Sequence, residues 1–413
     1  GVSEDKKEFF LASDILSFAH HTDQVIFMND YQMVEIEGGE LNLYEVENGN
    51  EVEYEVQTVE PGEVEIDKEG HEHFMIKEII EQQYTIKEAS NYSEEELSEL
   101  VEAIKNAKNV YTVGAGTASY AAGQIAYYLR KIAKVNALEL KSYEMDSYKD
   151  LIGEGDVMLA VSQSGETADT IEALEFGQKN GAKIASIVNM MGSTITRMSD
   201  YKFYSRSGPE ICVASTKAFT AQVSWGYLVA NAVAGNYGEA KSKISKAADE
   251  LQNYFTEELF EQVKALADRI KDEEHFFVLG RGMNYYISLE GALKVKEITY
   301  KHFEGFAAGE LKHGVIALVD KGTPVFCVVS DDEVKNDMIS AAAEVNARGA
   351  FTIGIGDNPE QDFFEGFIEA PQVGDLSPIT NVIPFQLVSY FLGLVLGNSI
   401  DKPRNLAKSV TVK

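Results

Sequence analysis

Alternation of apolar and polar residues predicts short β-strands in the first 57 residues of the chain. The alternating segments are residues 24–28, 32–37, 41–47 and 51–57. Asn48-Gly49 lies between the last two of them, and this dipeptide favours the tight turn of a β-hairpin. Strands so few and so short do not bury a core by themselves. We therefore expect a small antiparallel piece, followed by a helix near residues 73–89.

An internal repeat organises the chain from about residue 96 to residue 400. The repeated segments are residues 109–116, 156–161 and 181–187, which recur in kind as residues 275–282, 323–328 and 349–355. Each copy alternates short apolar strands with segments of helix length, the pattern of a parallel sheet covered by helices. We therefore predict an α/β fold with two tandem, open, mostly parallel sheets. Ligands of such domains bind at the carboxyl ends of the strands.

A turn rich in hydroxyl groups follows the apolar run 157–161 of the first copy and reads Ser162-Gln163-Ser164-Gly165-Glu166-Thr167. Such a turn presents backbone N–H groups, hydroxyls and a helix N-terminus to one point, which favours a phosphate. The same residue types also cap ordinary helices, so that interpretation stays open. The equivalent loop of the second copy contains Asp331, Asp332 and Glu333, whose carboxylates repel phosphate. We expect one phosphate site in the chain, in the first copy.

The chain has 36 Lys and Arg against 67 Asp and Glu, a net charge of −31. Such acidity, without any Lys/Arg-rich tract, argues against a nucleic-acid partner. A phosphorylated ligand must therefore be held by local dipoles, since the overall field repels it.

Two apolar segments are long enough to need an explanation, residues 223–234 and 382–396. Both are short and carry polar residues or proline, so we predict buried core helices and no membrane span. Cys212 and Cys327 lie far apart among apolar residues, which favours reduced buried thiols. No signal peptide is recognisable at the start of the chain, and we expect a cytoplasmic protein.

Glu290, Lys294 and Glu297 share one face of a predicted helix, because they are spaced i, i+4 and i+7. Most such stripes are solvated salt bridges of little consequence. Their apolar neighbours leave little polar surface on this face, however, and a lysine between two carboxylates suits proton transfer at carbon. Both interpretations stay open at this point.

Four further residues could carry chemistry. His313 lies in a glycine-flanked turn, where it is either an acid/base group or an ordinary surface histidine. Lys408 follows Pro403 in a tail that is either disordered or folded back, and a desolvated lysine forms Schiff bases with ketoses. His71 and His73 have no third ligand at a recognisable spacing, so we predict no metal site.

Five segments taken in order resemble the glutamine–fructose-6-phosphate aminotransferase family, which contains tandem sugar isomerase (SIS) domains. The segments are residues 162–170, 213–220, 289–297, 307–314 and 403–412. The first two also occur in other SIS proteins, whereas the last two narrow the match. The resemblance implies the conversion of fructose 6-phosphate and ammonia to glucosamine 6-phosphate in a homodimer, without a cofactor.

The resemblance also implies how the chain divides. The expected parts are the end of a glutaminase domain at residues 1–70, a helical linker at 71–95, SIS domains at 96–245 and 246–400, and a tail at 401–413. The implied phosphate-binding residues are Thr117, Ser162, Gln163, Ser164 and Thr167. The implied sugar contacts are Val213, Ser215 and Ala407.

The catalytic roles also follow from the resemblance alone. Lys408 would form a Schiff base at carbon 2 of the open-chain ketose. Glu297 would move a proton between carbons 1 and 2, tuned by Lys294 and Glu290. His313 would open the sugar ring and would reach the active site of the neighbouring subunit, which requires a two-fold dimer.

Three departures from the family pattern affect the expected chemistry. Val315 replaces the proline that is usual after His-Gly, and we expect this change to loosen the His313 loop slightly. Ala118 stands where the family usually has a phosphate-binding serine, so Ala118 and Ser119 stay unassigned. The family's glutaminase nucleophile is an N-terminal cysteine, whereas the first cysteine here is Cys212. We therefore expect ammonia as the nitrogen donor of these 413 residues, with the glutaminase part either removed from this chain or lying on another one.

Three alternative functions remain. A sugar-phosphate isomerase of the same fold would share ring opening and proton transfer. A deaminase or deglycase would run the reaction in the breakdown direction, but the glutaminase-like piece argues against it. A sugar-phosphate sensor would not need Glu297, His313 and Lys408 together.

Overall fold

The computed structural model describes residues 1–3, 5, 7–12, 18, 21–28, 31–58 and 67–411. Val412, the last residue of the fifth similar segment, lies outside this part. The chain divides into two compact units, Gly1–Asp67 and Lys68–Lys413.

The first unit is built of short antiparallel strands. They are β1 (Gln24–Val25), β2 (Gln32–Glu37), β3 (Glu40–Glu45), β4 (Glu51–Val52) and β5 (Gln57–Thr58). Strands β2, β3 and β4 form one sheet, and β1 pairs with β5. The predicted hairpin joins β3 to β4, and Gly49 has a φ of +70°, which glycine adopts without strain. The predicted strand at residues 51–57 is wrong in extent, because its two ends pair with different neighbours.

The second unit contains two sheets. The first sheet consists of β6 (Val110–Gly114), β7 (Ala137–Lys141), β8 (Val157–Ser162), β9 (Lys183–Val188) and β10 (Tyr201–Tyr204). The second consists of β11 (His275–Gly280), β12 (His302–Ala307), β13 (Pro324–Val329), β14 (Phe351–Gly356) and β15 (Gly366–Glu369). Their orders are β7-β6-β8-β9-β10 and β12-β11-β13-β14-β15, and every pairing is parallel. The predicted tandem repeat of parallel α/β units is confirmed.

The helices of the second unit cover both sheets. The first six are α1 (Phe74–Glu88), α2 (Glu94–Asn106), α3 (Thr117–Lys131), α4 (Ala168–Lys179), α5 (Thr194–Met198) and α6 (Lys217–Val233). The others are α7 (Tyr237–Tyr254), α8 (Glu257–Ile270), α9 (Tyr285–Thr299), α10 (Lys335–Asn346), α11 (Ser377–Asn381) and α12 (Ile383–Val395). Short 3-10 helices include Ala308–His313 and Val315–Leu318.

Helix α1 covers the segment in which the sequence predicts a helical linker. Its residues Met75, Ile79 and Ile86 are fully buried and belong to the largest apolar cluster of the protein. The helix packs against α6, α7 and α12. It is therefore an integral part of the second unit.

The two apolar segments noted in the sequence form core helices. Every residue of α6 is buried. The helical segment Gly374–Val395, with a mean hydropathy of 1.4, is long and apolar enough to cross a membrane, but 83% of its most apolar window is buried inside the protein. Burial of this kind is expected of a core helix, and α12 packs against α1, α8, α9 and α11.

Candidate active site

The predicted phosphate loop connects β8 to α4. The Ser162 hydroxyl accepts the Gly165 N–H at 2.9 Å, and the Ser164 hydroxyl accepts the Glu166 N–H at 3.2 Å. Each hydroxyl can still donate its own proton to a ligand. Gly165 has a φ of +69°, and a Cβ at this position would overlap the Ser193 hydroxyl. Glycine is therefore required twice over, by the backbone angle and by the available space.

Neighbouring side chains hold this loop rigid. The Glu166 carboxylate accepts the Thr194 N–H at 2.7 Å and the Thr194 hydroxyl at 2.8 Å, at the start of α5. The Gln222 amide donates to the Ser162 carbonyl at 2.9 Å. Thr167 occupies the N-cap position of α4 but makes no side-chain capping bond. Its hydroxyl is therefore available to a ligand, which weakens the capping interpretation for this residue.

Thr117 connects the turn after β6, which contains Gly116, to helix α9, which follows the first strand of the second sheet. It is the first residue of α3, and its hydroxyl donates to Glu290 Oε1 at 3.3 Å. The hydroxyl of the next serine, Ser119, is buried and donates to the Gly116 carbonyl at 2.9 Å. Ser119 is thus occupied by its own turn, and Ala118 offers no hydroxyl in its place.

Helix α9 carries the predicted stripe of Glu290, Lys294 and Glu297. Lys294 Nζ lies 3.5 Å from Glu290 Oε1 and 2.6 Å from Glu297 Oε2. The side chains of Glu290 and Lys294 have no exposed surface, whereas that of Glu297 is 20% exposed. The stripe is therefore a buried cluster and not a solvated surface, and Glu297 is its accessible member.

Burial controls the charges in this cluster. It raises the pKa of Glu290 to about 8, an effect that Glu297 strengthens and Lys294 opposes. Burial also disfavours the charge of Lys294, but the two carboxylates outweigh it and raise the pKa of the ammonium above its ordinary value. Lys294 thus stays charged, and Glu290 holds a proton at neutral pH.

Lys408 is held by a buried carboxylate that the sequence analysis missed. Its Nζ donates to Glu210 Oε2 at 2.6 Å and to the Cys212 carbonyl at 2.7 Å. Glu210 is fully buried, and its other donors are the Ser215 hydroxyl and the backbone N–H groups of Thr216 and Ala218. Burial would raise the pKa of Glu210, but the Lys408 charge and these hydrogen bonds lower it below its usual value. Glu210 is therefore the ionised partner of Lys408.

The start of the C-terminal tail is fixed to two helices. The Asp401 carboxylate accepts the N–H groups of Phe74 and Met75 at the N-terminus of α1, at 3.1 and 3.0 Å. The Arg404 N–H donates to the Tyr300 hydroxyl at 2.8 Å, and the guanidinium lies 4.2 Å from the centre of the same ring. Tyr300 follows α9 directly, so the tail is attached to the end of the helix that carries the buried cluster.

The end of the tail lies on the phosphate loop. The Ser409 hydroxyl donates to the Ser164 hydroxyl at 3.1 Å, and the Val410 carbonyl accepts the Ala168 N–H at 3.2 Å. Lys408 lies between these contacts and the Arg404 anchor. A disordered tail, the alternative left open by the sequence, is therefore wrong for the described residues up to 411.

The three parts of the site belong to one electrostatic network. Glu210, which binds Lys408, also raises the pKa of Lys294 on α9. Thr117 connects Glu290 to the turn after β6. The phosphate loop, the α9 cluster and the tail lysine are thus brought together around the carboxyl ends of the first sheet, where an α/β domain binds its ligand.

The other predicted residues occupy different positions. The Val213 N–H donates to the Asp401 carbonyl at 3.0 Å, and Ser215 donates to Glu210. Ala407 is exposed beside Lys408. His313 is exposed at the end of its 3-10 helix. Within the described residues it makes no hydrogen bond or ion pair, so the chain itself does not attach it to this site.

His71 and His73, the pair considered for metal, belong to the turn before α1. His73 Nδ1 lies 3.2 Å from the Tyr390 hydroxyl. Among the described residues, no group of three or more His, Cys, Asp or Glu side chains is arranged to hold a metal ion.

The residues around Glu210 in the sequence do not indicate that its carboxylate binds Lys408. Glu210 follows Gly208-Pro209 in a loop and has no helical or strand periodicity around it. Its partner lies 198 residues away in the sequence. The one clue in the sequence is that Glu210 stands just before segment 213–220, which resembles the family.

Comparison with known proteins identifies the family. The model of the SIS domain matches residues 103–232 and 269–395, more than half of the chain. The glutamine–fructose-6-phosphate aminotransferase [isomerizing] of Thermococcus kodakarensis is 38% identical over all of this chain and 70% of that protein. The enzyme of the same name from Clostridium perfringens is 39% identical, over all of this chain and 71% of that protein.

A solved structure agrees with these relatives. The C-terminal domain of glucosamine-fructose-6-phosphate aminotransferase from Francisella tularensis has a TM-score of 0.73 and 33% identity. The match covers 81% of this chain and 100% of that one. The chain, with its two SIS domains and a likeness to these enzymes along all of its own length, belongs to the glutamine–fructose-6-phosphate aminotransferase family.

Proposed function

We propose that this chain converts fructose 6-phosphate and ammonia to glucosamine 6-phosphate and water. The observation that carries the proposal is the position of Lys408, which lies between a hydroxyl-rich loop and a buried carboxylate–lysine cluster. A phosphate site, an amine and an acid/base group at one place are what an aminating sugar-phosphate isomerase needs.

The phosphate end of the substrate binds at the loop after β8. Proposed ligands are the side chains or N–H groups of Ser162, Gln163, Ser164 and Thr167, with Thr117 from the facing turn. This loop binds an anion through dipoles and the N-terminus of α4, which suits a protein of net charge −31. Val213, Ser215 and Ala407 line the path of the sugar chain.

Lys408 is the proposed nucleophile. Its free amine adds to C2 of the open-chain ketose, the C2–O bond breaks, water leaves, and a C2=N bond to Nζ forms. Ammonia then replaces Nζ at C2 and releases the lysine. Glu210 and the Cys212 carbonyl, which hold Nζ at 2.6 and 2.7 Å, support this role because they aim the amine at one point.

Glu297 is the proposed base for the isomerisation. It takes a proton from C1 and returns a proton to C2, so that C1 becomes the aldehyde carbon and C2 keeps the amine. The partial exposure of Glu297 and the burial of Glu290 support this assignment. Lys294 fixes the Glu297 carboxylate through its ion pair.

Ring opening is assigned to His313 of a neighbouring subunit. The exposure of His313 and the absence of hydrogen-bond partners within the described chain support a role across an interface. The proposed assembly is therefore a homodimer with two-fold symmetry.

Ammonia is the proposed nitrogen donor of these 413 residues. Both cysteines, Cys212 and Cys327, are buried and free, and burial raises the pKa of both thiols, so neither resembles a glutaminase nucleophile. A glutaminase on another chain would supply the same molecule. Free, reduced thiols also support the cytoplasm as the site of action.

The test is glucosamine 6-phosphate formation from fructose 6-phosphate, with ammonium and glutamine as separate donors. We expect product with ammonium alone. Equal rates with glutamine would refute the proposed donor. Conversion to glucose 6-phosphate without any amination would show that the chain is an isomerase only. The absence of any product with both donors would favour a sugar-phosphate sensor.

A further inference from the structure

Helix α1 places a second buried carboxyl beside the loop that holds Lys408. Glu78 is 1% exposed, and its Oε1 accepts the N–H groups of Ile211 and Cys212 at 2.5 and 3.2 Å. Its Oε2 is buried and has no hydrogen-bond partner among the described residues. A carboxyl in such surroundings costs free energy to bury, so its retention calls for a specific role.

The loop at 210–212 faces Glu78 on one side and Lys408 on the other. The Cys212 N–H points to Glu78, whereas the Cys212 carbonyl accepts a hydrogen bond from Lys408. Glu210, the residue just before this pair of N–H groups, binds the same amine. Glu78 thus anchors the two peptide planes that run from Glu210 to Cys212, and the two partners of Lys408 flank these planes.

We propose that Glu78 is a positioning residue for Lys408, because it fixes the backbone that turns the Cys212 carbonyl and the Glu210 carboxylate toward the amine. This inference rests on the proposed function, in which Lys408 attacks the ketose. It gives helix α1 a part in the chemistry, although α1 precedes both SIS domains in the chain.

Burial also determines the charge of Glu78. Burial and the nearby Glu210 raise the pKa of Glu78 to about 8, while Lys408 and Lys217 oppose the shift. Below that pH, Glu78 is a neutral hydrogen-bond acceptor. The remaining titratable neighbour, the Cys212 thiol, stays protonated because burial and Glu78 raise its pKa.

Glu88 provides a control on the same helix. The residue is exposed in the last turn of α1, and no hydrogen bond joins its side chain to the 210–212 loop among the described residues. Replacement of Glu88 by Ala therefore removes a carboxylate from α1 without touching the backbone that Glu78 holds.

The experiment measures positioning through the imine, and the control Glu88→Ala should trap it at the wild-type rate. Borohydride traps the Schiff base with fructose 6-phosphate as a stable adduct on Lys408, counted by mass. We expect about a tenfold slower trapping in Glu78→Ala, which leaves two N–H groups unpaired, and near-normal trapping in Glu78→Gln, which keeps an acceptor oxygen. Equal trapping by wild type and a folded Glu78→Ala would overturn the positioning role.

Comparison of wild type with the variant separates this inference from the proposed function. A wild-type chain that traps no imine refutes the Schiff base of Lys408, whereas equal trapping by wild type and a folded Glu78→Ala refutes only the positioning role of Glu78. The Glu78→Gln variant keeps the test open if Glu78→Ala does not fold.

Discussion

The Lys294 ammonium lies 2.6 Å from the Glu297 carboxylate, and the lysine has no exposed surface. The lysine of this pair is therefore shielded from water, whereas part of the Glu297 side chain is accessible from the site. Removal of one partner from such a buried pair costs far more than the loss of a surface salt bridge, because a charge is left without compensation. The α9 cluster is for this reason both a stability element and a candidate catalytic element.

Replacement of Lys294 by Met should destabilise the protein and abolish its activity. The change leaves Glu290 and Glu297 facing each other, and we expect the free energy of unfolding to fall by about 3–5 kcal/mol. Urea unfolding and the rate of glucosamine 6-phosphate formation measure the two effects. Lys296→Met, at an exposed position of the same helix, should change neither. Wild-type stability in Lys294→Met would contradict the buried ion pair.

Replacement of Gly165 by Ala should weaken phosphate binding. The residue would need a φ of +69° and would displace Ser193, at a cost of about 1–3 kcal/mol for the backbone alone. We expect the KM for fructose 6-phosphate to rise by at least about tenfold, since 1.4 kcal/mol is a factor of ten in binding.

Gly181→Ala is the control for this loop. Gly181 has a φ of +88° in the turn between α4 and β9, away from the phosphate loop, and its nearest neighbour would be Glu154 at 3.6 Å. It should lower stability without changing KM. An equal rise of the KM for fructose 6-phosphate in both variants would mean that Gly165 has no specific role in binding the ligand.

Stability should fall as pH rises through the range set by Glu290. Its pKa is about 8 in the folded protein and 4.5 in the unfolded chain, so the folded state binds the extra proton between these values. The free energy of unfolding therefore decreases from pH 4.5 to 8, by an amount on the order of 2–5 kcal/mol for this group. Urea titrations at several pH values should show a flatter dependence in Glu290→Gln. An unchanged slope would argue against a raised pKa at this position.

Replacement of Lys408 by Ala should abolish amination and reduce stability, because Glu210 keeps its buried charge without a partner. The double variant Lys408→Ala/Glu210→Gln should recover much of the lost stability but none of the activity. Lys402→Ala, an exposed change in the same tail, serves as the control. Unimpaired product formation by Lys408→Ala would exclude the Schiff base, and additive stability effects would exclude the direct pair.

Mixed dimers should test the role of His313. Neither His313→Ala nor Lys408→Ala alone should be active. After subunit exchange, a dimer of one chain of each kind regains one complete site if His313 acts across the interface. Random mixing then restores about a quarter of the wild-type activity, because half of the dimers are mixed and each has one working site. Sedimentation analysis establishes the dimer, and a mixture without activity would contradict the shared site.

Local patterns made much of this protein predictable from its sequence. The strands β8 and β13 are continuous apolar runs because both faces of a parallel sheet are covered. The turn at Gly165 and the helical spacing of Glu290, Lys294 and Glu297 are likewise properties of a few neighbouring residues. Such features need no knowledge of the rest of the chain, so the fold class could be inferred from the sequence, and a phosphate-binding role for the loop after β8 could be predicted from it.

The sequence by itself determined the tandem α/β repeat, the hydroxyl-rich loop and the residue types available for chemistry. Tertiary structure decided which of those residues are buried and paired. Lys408 meets Glu210 across 198 residues, and Glu78 meets Ile211 across 133. No local pattern encodes these contacts, since they depend on how helices and tail pack together. Because burial sets both the pKa of a carboxyl and the cost of leaving it unpaired, the chemistry of this site was decided only when the chain folded.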